Sequence, residues 1–454
     1  MRIAIVGGGY AGASTAIALL RTLPPGHSIT IYEPAEEVGR GIAYARGPDH
    51  RLLNVPAHTV SLIPDDENQF CTWALARFPY AEEFRESDGA YFFPRAWFGT
   101  YIHEHLRAAC DQNPRITFTH VREVARSIDL EGDVFVVRSA DGAQIFDRIV
   151  LAIGNGPPSP IPILEAAGSA GPMVIQSAWG FEPSTVGETA RVAVVGGALT
   201  MADVIADLEA CGHRGAITCV SRNGRRPHVS VGMRPDFSPA EALPTTLTAR
   251  EFVALARKWA KEAVAESGDW RPSADWVRRN FPFLWRGLSP IERRRVRRHA
   301  RSLWEIHRFL MPPPAHRRIE ALIASGRFAH LRGKVLGTTA RGLRIQTSTG
   351  FEEVPADIVI NTSGFDTSYR TALAPIGDLL AVTGIDLGDA ARNGLAVDDQ
   401  GRLLHVEPRL FGKLYALGFL ARANHGELAT VNTIAAIAAG IATDMAMAHG
   451  AALA

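Results

Sequence analysis

The residues best placed to do chemistry come first in the chain: Gly7-Gly8-Gly9-Tyr10-Ala11-Gly12. At this spacing Gly7 permits a tight turn, Gly9 lets backbone approach a diphosphate, and Gly12 lets a helix pack closely on a strand. Glu33 follows 21 residues after Gly12, where a carboxylate can accept hydrogen bonds from a ribose diol. A second run, Gly196-Gly197-Ala198-Leu199-Thr200-Met201, has the same shape. Here Ala198 and Met201 stand where the second and third glycines belong. The expectation is a methyl that crowds a diphosphate and a wider gap between helix and strand. Beyond it, Ser221-Arg222 replaces the acid, and Arg225 and Arg226 add positive charge. An arginine can pair with a 2′-phosphate that an acid would repel, so the second site is expected to prefer NADPH over NADH. A solvated basic loop is the alternative. The first motif alone does not separate FAD from NAD.

The elements that must hold these turns are legible as patterns. Arg2 to Val6 reads as a strand and Ala13 to Arg21 as a helix, with a second strand over Ser28 to Tyr32. Arg191 to Val195 reads as another strand, followed by a helix through Asp207-Leu208 and a strand from Ala216 to Val220. Three more apolar strands each end in glycine: Phe146 to Gly154, Ala356 to Gly364 and Leu414 to Gly418. Such strands cross between two nucleotide-binding units or close the first site. The expected fold is α/β, with two Rossmann-like dinucleotide-binding domains, the NAD(P) domain inserted into the FAD domain. The expected spans are 1–157 and 366–454 for the two parts of the first domain, and 172–365 for the second.

Length and composition agree with that plan. The chain has 454 residues, 46% apolar and 21% charged, with a formal net charge of +1. This suits two or three globular domains, and the overall charge does not suit a nucleic-acid binder. Cys71, Cys110, Cys211 and Cys219 form no C-x-x-C pair and no zinc spacing, so no metal site is expected, and reduced thiols fit a cytoplasmic setting. A strand that starts at Arg2 leaves no room for a signal peptide. No segment reaches roughly 18 uninterrupted apolar residues, so no membrane span is expected. The alanine-rich end after Thr433 is broken by Asp444 and reads as a buried helix.

Residues from about 229 to 318 interrupt the second unit and are dense in arginine. Between Arg278 and Arg318 stand twelve arginines and two acids, Glu292 and Glu305. Ser289-Pro290-Ile291-Glu292 is a helix start, predicting one helix to about Leu310 before Pro312-Pro313-Pro314. Three readings stay open: a solvated basic face, a lining for an anionic substrate or the NADPH phosphates through His307 and Arg308, or nucleic-acid binding.

Further stretches carry a family resemblance. They are Gly39-Arg40-Gly41-Ile42-Ala43-Tyr44, Leu52-Leu53-Asn54-Val55-Pro56-Ala57, Ile63-Pro64-Asp65-Asp66 with Phe70 and Trp73, and Phe93-Pro94-Arg95 with Gly99 and Tyr101. Together they resemble the bacterial FAD/NAD(P)-binding family that contains the FAD-dependent urate hydroxylase and the nitrosuccinate-forming aspartate N-monooxygenase. The resemblance implies FAD at the first turn and NADPH at the second. It places the Asn54 loop and Arg95 near the flavin, and Asn432 and Thr433 of the C-terminal segment among the cofactor contacts. Phe419 follows Gly418 where many two-dinucleotide reductases carry Asp, which favours an oxygenase-like flavin site.

The leading expectation is therefore a monooxygenase: NADPH reduces FAD, O2 adds to give a flavin C4a-hydroperoxide, and one oxygen passes to a small nitrogen-rich anion. Urate is the first candidate and an amino acid the second, with Asn54 and Arg308 as the residues nearest the chemistry. The cofactor carries such a reaction, so no side-chain nucleophile is required. A disulfide or electron-transfer reductase is a rival, weakened by the 39 residues between Cys71 and Cys110. A non-enzymatic flavin-binding module is another.

Overall fold

The computed structural model describes residues 1–63, 66–156, 158–164, 171–232, 234–365, 394–404, 406–422 and 430–453. Pro64, Asp65 and the expected boundary residues 157 and 366 lie outside the described residues.

Alternation of β-branched residues builds the first layer. β1 (Arg2–Val6) pairs in parallel with β2 (Ser28–Tyr32) and β7 (Arg148–Leu151). β3 (Thr117–Val121) and β16 (Leu414–Ala416) complete the order β16-β7-β1-β2-β3. Successive side chains point to opposite faces. Ile3 and Ile5 join one core with α1 (Tyr10–Thr22), α2 (Gln69–Arg77) and α3 (Arg95–Gln112). Ala4 and Val6 join another, beneath the antiparallel sheet of β4 (Ser127–Glu131), β5 (Val134–Ser139) and β6 (Gly142–Phe146).

The second layer repeats the plan. β9 (Val192–Val195) lies between β10 (Ile217–Ser221) and β15 (Ile358–Asn361), flanked by β11 (Phe328–Arg332) and β8 (Met173–Ile175). All these pairs are parallel. α4 (Leu199–Ala210) and α9 (Pro313–Ala324) cover one face. An antiparallel sheet of β12 (Lys334–Thr339), β13 (Gly342–Gln346) and β14 (Phe351–Pro355) covers the other. The protein thus has two Rossmann-like sheets, and β16 rejoins the first after the second is complete.

Between β10 and α9 the described residues form four further helices: α5 (Ala249–Ser267), α6 (Arg271–Arg286), α7 (Pro290–His299) and α8 (Arg301–Arg308). They have their own core, with Trp259, Phe281 and Trp285 buried together. The capping box of Thr248 and Glu251 starts α5, and Ser289 caps α7 as its sequence requires. The single helix expected from Ser289 to Leu310 is two. It breaks at Ala300, and Trp304 then stacks on Phe281 at 5.7 Å. Local propensity favours continuing the helix, and packing of Trp304 overrides it.

The C-terminal helix α10 (Val431–Leu453) is long and apolar enough to cross a membrane by length and composition. Its residues Ala438, Ile441, Ala442 and Met445 are buried in the core that α1 and α3 share. Asp444, read as the interruption, accepts a 2.7 Å hydrogen bond from the Tyr415 hydroxyl.

Candidate dinucleotide sites and the seam between them

At the first turn Gly7 has φ +101°, and a Cβ there would sit 2.5 Å from the Ala152 carbonyl oxygen. A Cβ on Gly12 would overlap the Gly7 carbonyl oxygen, so only glycine allows α1 to lie this close to β1. Gly9 is the N-cap of α1 with no side-chain cap, and a Cβ there would meet nothing nearer than Gly41 Cα, at 3.6 Å. The N–H groups of the first turn thus have no side-chain cap, as at helix ends that receive a phosphate. Glu33 anchors the rim: its carboxylate accepts from the Gly8 N–H at 2.8 Å and the Ala35 N–H at 3.0 Å. Spare lone pairs remain for a ribose diol.

Distant segments close in around the same turn. Gly418 has φ +68°, and a Cβ there would lie 3.3 Å from Ala11 Cβ. The Tyr10 hydroxyl donates to the Val431 carbonyl at 2.9 Å, and the Asn432 amide donates to Thr59 O at 3.1 Å. Thr433 lies beside them, its N–H donating to Thr430 Oγ1 at 3.2 Å. Gly154, just past β7, has φ +75° with open space in front of it. The residues fit a flavin dinucleotide: an uncapped helix end for the diphosphate, an anchored acid for the ribose, and glycine walls where a planar ring needs room.

At the second turn Gly196 has φ +118°, and a Cβ there would lie 2.7 Å from Thr362 O. Ala198 is the exposed N-cap of α4 with φ −97° and ψ −162°, an extended conformation open to any residue. The methyl expected to crowd a diphosphate therefore sits on unstrained backbone. Met201, in the place of Gly12, is fully buried among Val192, Val194 and Ile205. The helix packs over a thioether instead of over bare backbone. Thr200 lies half-buried in the first turn of α4. Arg222 is exposed, Arg225 reaches Ser302 at 3.5 Å and Arg226 pairs with Glu320 at 3.1 Å. Gly364, past β15, has φ +105° and open space beside it.

The arginines of the helical insertion are largely spent within it. Arg293 and Arg297 lie over the Trp285 ring at 5.7 and 4.9 Å, Arg295 pairs with Glu292 and Arg301 with Glu305. Arg308 lies 4.1 Å over Phe309. Trp304, one turn before Arg308, stacks on Phe281. His307 packs against His228 at 4.6 Å with the rings tilted and edge-on against Trp270 at 4.8 Å.

A seam that the sequence reading missed joins the two sheets. Asp203 and Asp207 stand one turn apart on α4, and both are met by residues 50–95. Arg95 donates to Asp203 at 2.8 Å, to Asn54 Oδ1 at 2.9 Å and to Leu52 O at 2.7 Å. Arg51 donates to Asp207 at 2.7 Å, and the His50 ring meets the same carboxylate at 2.8 Å. Asn54 and Arg95, expected beside the flavin, are found bracing the first sheet against α4. Burial pushes the Asp203 carboxyl up, and Arg95 only partly offsets this. Burial also pushes Asp207 up, but His50 and Arg51 outweigh it and hold that carboxyl below its usual range. The one available signal was a pair of acids, Asp203 and Asp207, four residues apart on a largely apolar helix.

Burial raises the thiols: Cys71 is pushed above its usual value and Cys110 up to about 11. All four cysteines are free. Among the described residues no group of three His, Cys, Asp or Glu side chains is arranged to hold a metal.

Residues 4–156, the N-terminal third, match the family described as FAD-NAD(P)-binding. The whole chain is similar in fold to solved flavoproteins. One is the ornithine N-hydroxylase of Kutzneria sp. 744: 15% identity, 98% of this chain and 99% of that chain covered, TM-score 0.61. Another is the L-lysine 6-monooxygenase of Pseudomonas syringae: 16% identity, 100% and 99% covered, TM-score 0.60. A third is the bacillithiol disulfide reductase of Staphylococcus aureus: 13% identity, 99% and 98% covered, TM-score 0.56. Comparison with curated protein sequences finds no match.

Proposed function

We propose that this chain is an FAD-dependent, NADPH-consuming monooxygenase that transfers oxygen to a small nitrogen-bearing molecule. The observation that carries the reading is the pair of uncapped helix ends on two parallel sheets, one with an anchored acid and one with an exposed arginine beyond it. The flavin, when bound, supplies the redox and oxygen chemistry. The chain's own residues bind and orient. The α1 N-terminus holds the flavin diphosphate and Glu33 its ribose. The α4 N-terminus and Thr200 take the diphosphate of NADPH, and Arg222 its 2′-phosphate. Gly154, Gly364 and Gly418 leave room for rings. Asn54, fixed by Arg95, lies at the seam that sets one site against the other.

In the first domain, burial of Cys71 and partial burial of Cys110 argue against a dithiol reductase, because the thiolate is the reactive species and burial disfavours it. The fold likeness to ornithine and lysine hydroxylases favours the amine of an amino acid as substrate. Urate is the second reading, from the resemblance carried by residues 39–101. Arg308 is the candidate contact for the substrate's anionic group.

The test is a substrate screen. Purified protein should be yellow and release FAD on denaturation, and a folded Gly9→Val protein should not retain it. Ornithine, lysine, aspartate and urate are then tried for stimulation of NADPH oxidation and for an oxygenated product. Release of FMN, or full FAD retention by Gly9→Val, overturns the first-site reading. NADPH oxidation that yields no oxygenated product with any of them overturns the oxygenase reading and leaves a reductase.

A further inference from the structure

The two turns press against different side chains at one shared station. In the first site a Cβ on Gly8 would overlap Glu33 Cβ and lie 3.2 Å from its Oε2. In the second, the corresponding glycine is Gly197, and a Cβ there would lie 2.9 Å from both Cε1 and Nε2 of His330. The strand register explains the exchange. Gly7 N donates to Tyr32 O and Gly196 N donates to Val220 O, so Ser221 occupies the backbone position of Glu33. Its side chain is not among the three nearest neighbours of Gly197. Its Oγ instead meets His330 Nε2 at 2.8 Å, and the imidazole, from the next strand β11, fills the space.

The chemistry of the station changes with the side chain. A carboxylate accepts hydrogen bonds from both ribose hydroxyls and repels a phosphate. An imidazole does not repel it. Burial and the nearby Arg226 hold this ring neutral, pushed down to about 4. Ser221 Oγ also accepts from the Gly224 N–H at 3.2 Å, which ties the pair to the loop carrying Arg222.

We propose that His330, held by Ser221, is a specificity-determining residue of the second site: it faces the adenosine ribose and lets the site take a 2′-phosphorylated nucleotide. This rests on reading the second turn as a dinucleotide site.

The experiment is calorimetric titration of the FAD-loaded protein with adenosine 2′,5′-bisphosphate and with ADP. The wild type should favour the bisphosphate by ~10-fold or more, the size of one charge-assisted contact. His330→Glu places a carboxylate at the station and should reverse the preference. His330→Ala adds no repelling acid but removes the ring that holds Ser221 and, through it, the Arg222 loop, so it should reduce the preference, and His330→Gln, which can still bond Ser221, should keep more of it. Circular dichroism and FAD content report folding, and the ratio of the two affinities is insensitive to a general loss of stability. Should His330→Glu fail to fold, Ser221→Ala and His330→Gln read the same ratio. If the wild type binds neither probe, the dinucleotide reading of the second turn falls and the proposal with it. If it binds both while every His330 and Ser221 variant keeps the wild-type ratio, the proposal alone is overturned.

Discussion

The first glycine turn and the second share a backbone. Gly7 abuts Ala152 as Gly196 abuts Thr362, each with positive φ and each followed by an uncapped helix. They differ in how the helix meets the sheet and in what holds the rim. At the first turn Gly12 brings helix to strand backbone on backbone, and an acid from the adjacent strand reaches the turn. At the second, Met201 inserts a side chain, and an imidazole from the strand beyond reaches the turn. The fold tolerates a lost glycine where the helix can stand on a side chain, and it refuses one where a carbonyl already fills the space.

Copying the second turn into the first is the most severe test. Gly12→Met should destabilise by about 4 kcal/mol or more and abolish flavin retention, because the new side chain meets backbone. Met201→Ala should cost about 2–5 kcal/mol through the cavity it leaves while flavin stays bound. Melting curves and bound FAD measure both. Equal flavin loss in the two variants would dissolve the distinction between the turns.

The seam gives the next largest effect. Asp207→Asn removes the partner of Arg51 and His50 from a buried position and should cost roughly 3 kcal/mol. Asp203→Asn should cost less, since burial already lifts that carboxyl. The pH dependence has opposite signs. Asp207, held low, contributes stability that is complete above its ordinary value of 3.8 and is lost as pH falls below it. Asp203, held high, is protonated first on acidification, and that step favours the folded state. Unfolding free energy against pH should therefore fall less steeply below pH 4 in Asp207→Asn than in the wild type, and an unchanged acid limb contradicts the assignment.

Arg222→Ala should weaken NADPH by about 10-fold and NADH little, because an exposed arginine contributes through one charge-assisted contact. Dissociation constants for the two cofactors decide this; parallel losses mean that Arg222 does not read the 2′-phosphate. Smallest of all is Ala198→Gly. Glycine is the better N-cap, so about 0.5 kcal/mol of stability should be gained, with nucleotide affinity nearly unchanged. A large gain in affinity would restore the expectation that the methyl crowds the diphosphate.

The sequence by itself determined the local machinery. Strand, glycine turn and helix are adjacent in the chain, so Gly7, Gly12, Gly196 and the rim residue Glu33 could be read from spacing and φ requirements alone. The caps of Ser289 and Thr433's neighbour Thr430 are likewise matters of three or four residues. Tertiary structure decided whatever depends on partners far along the chain. His330 meets Ser221 across 109 residues, Arg95 meets Asp203 across 108, and Tyr10 meets Val431 across 421. The break at Ala300 accompanies the contact of Trp304 with Phe281, which no local spacing announces. Spacing encodes geometry only where the backbone between two residues has a fixed path; beyond one element, packing and sheet register choose the partner.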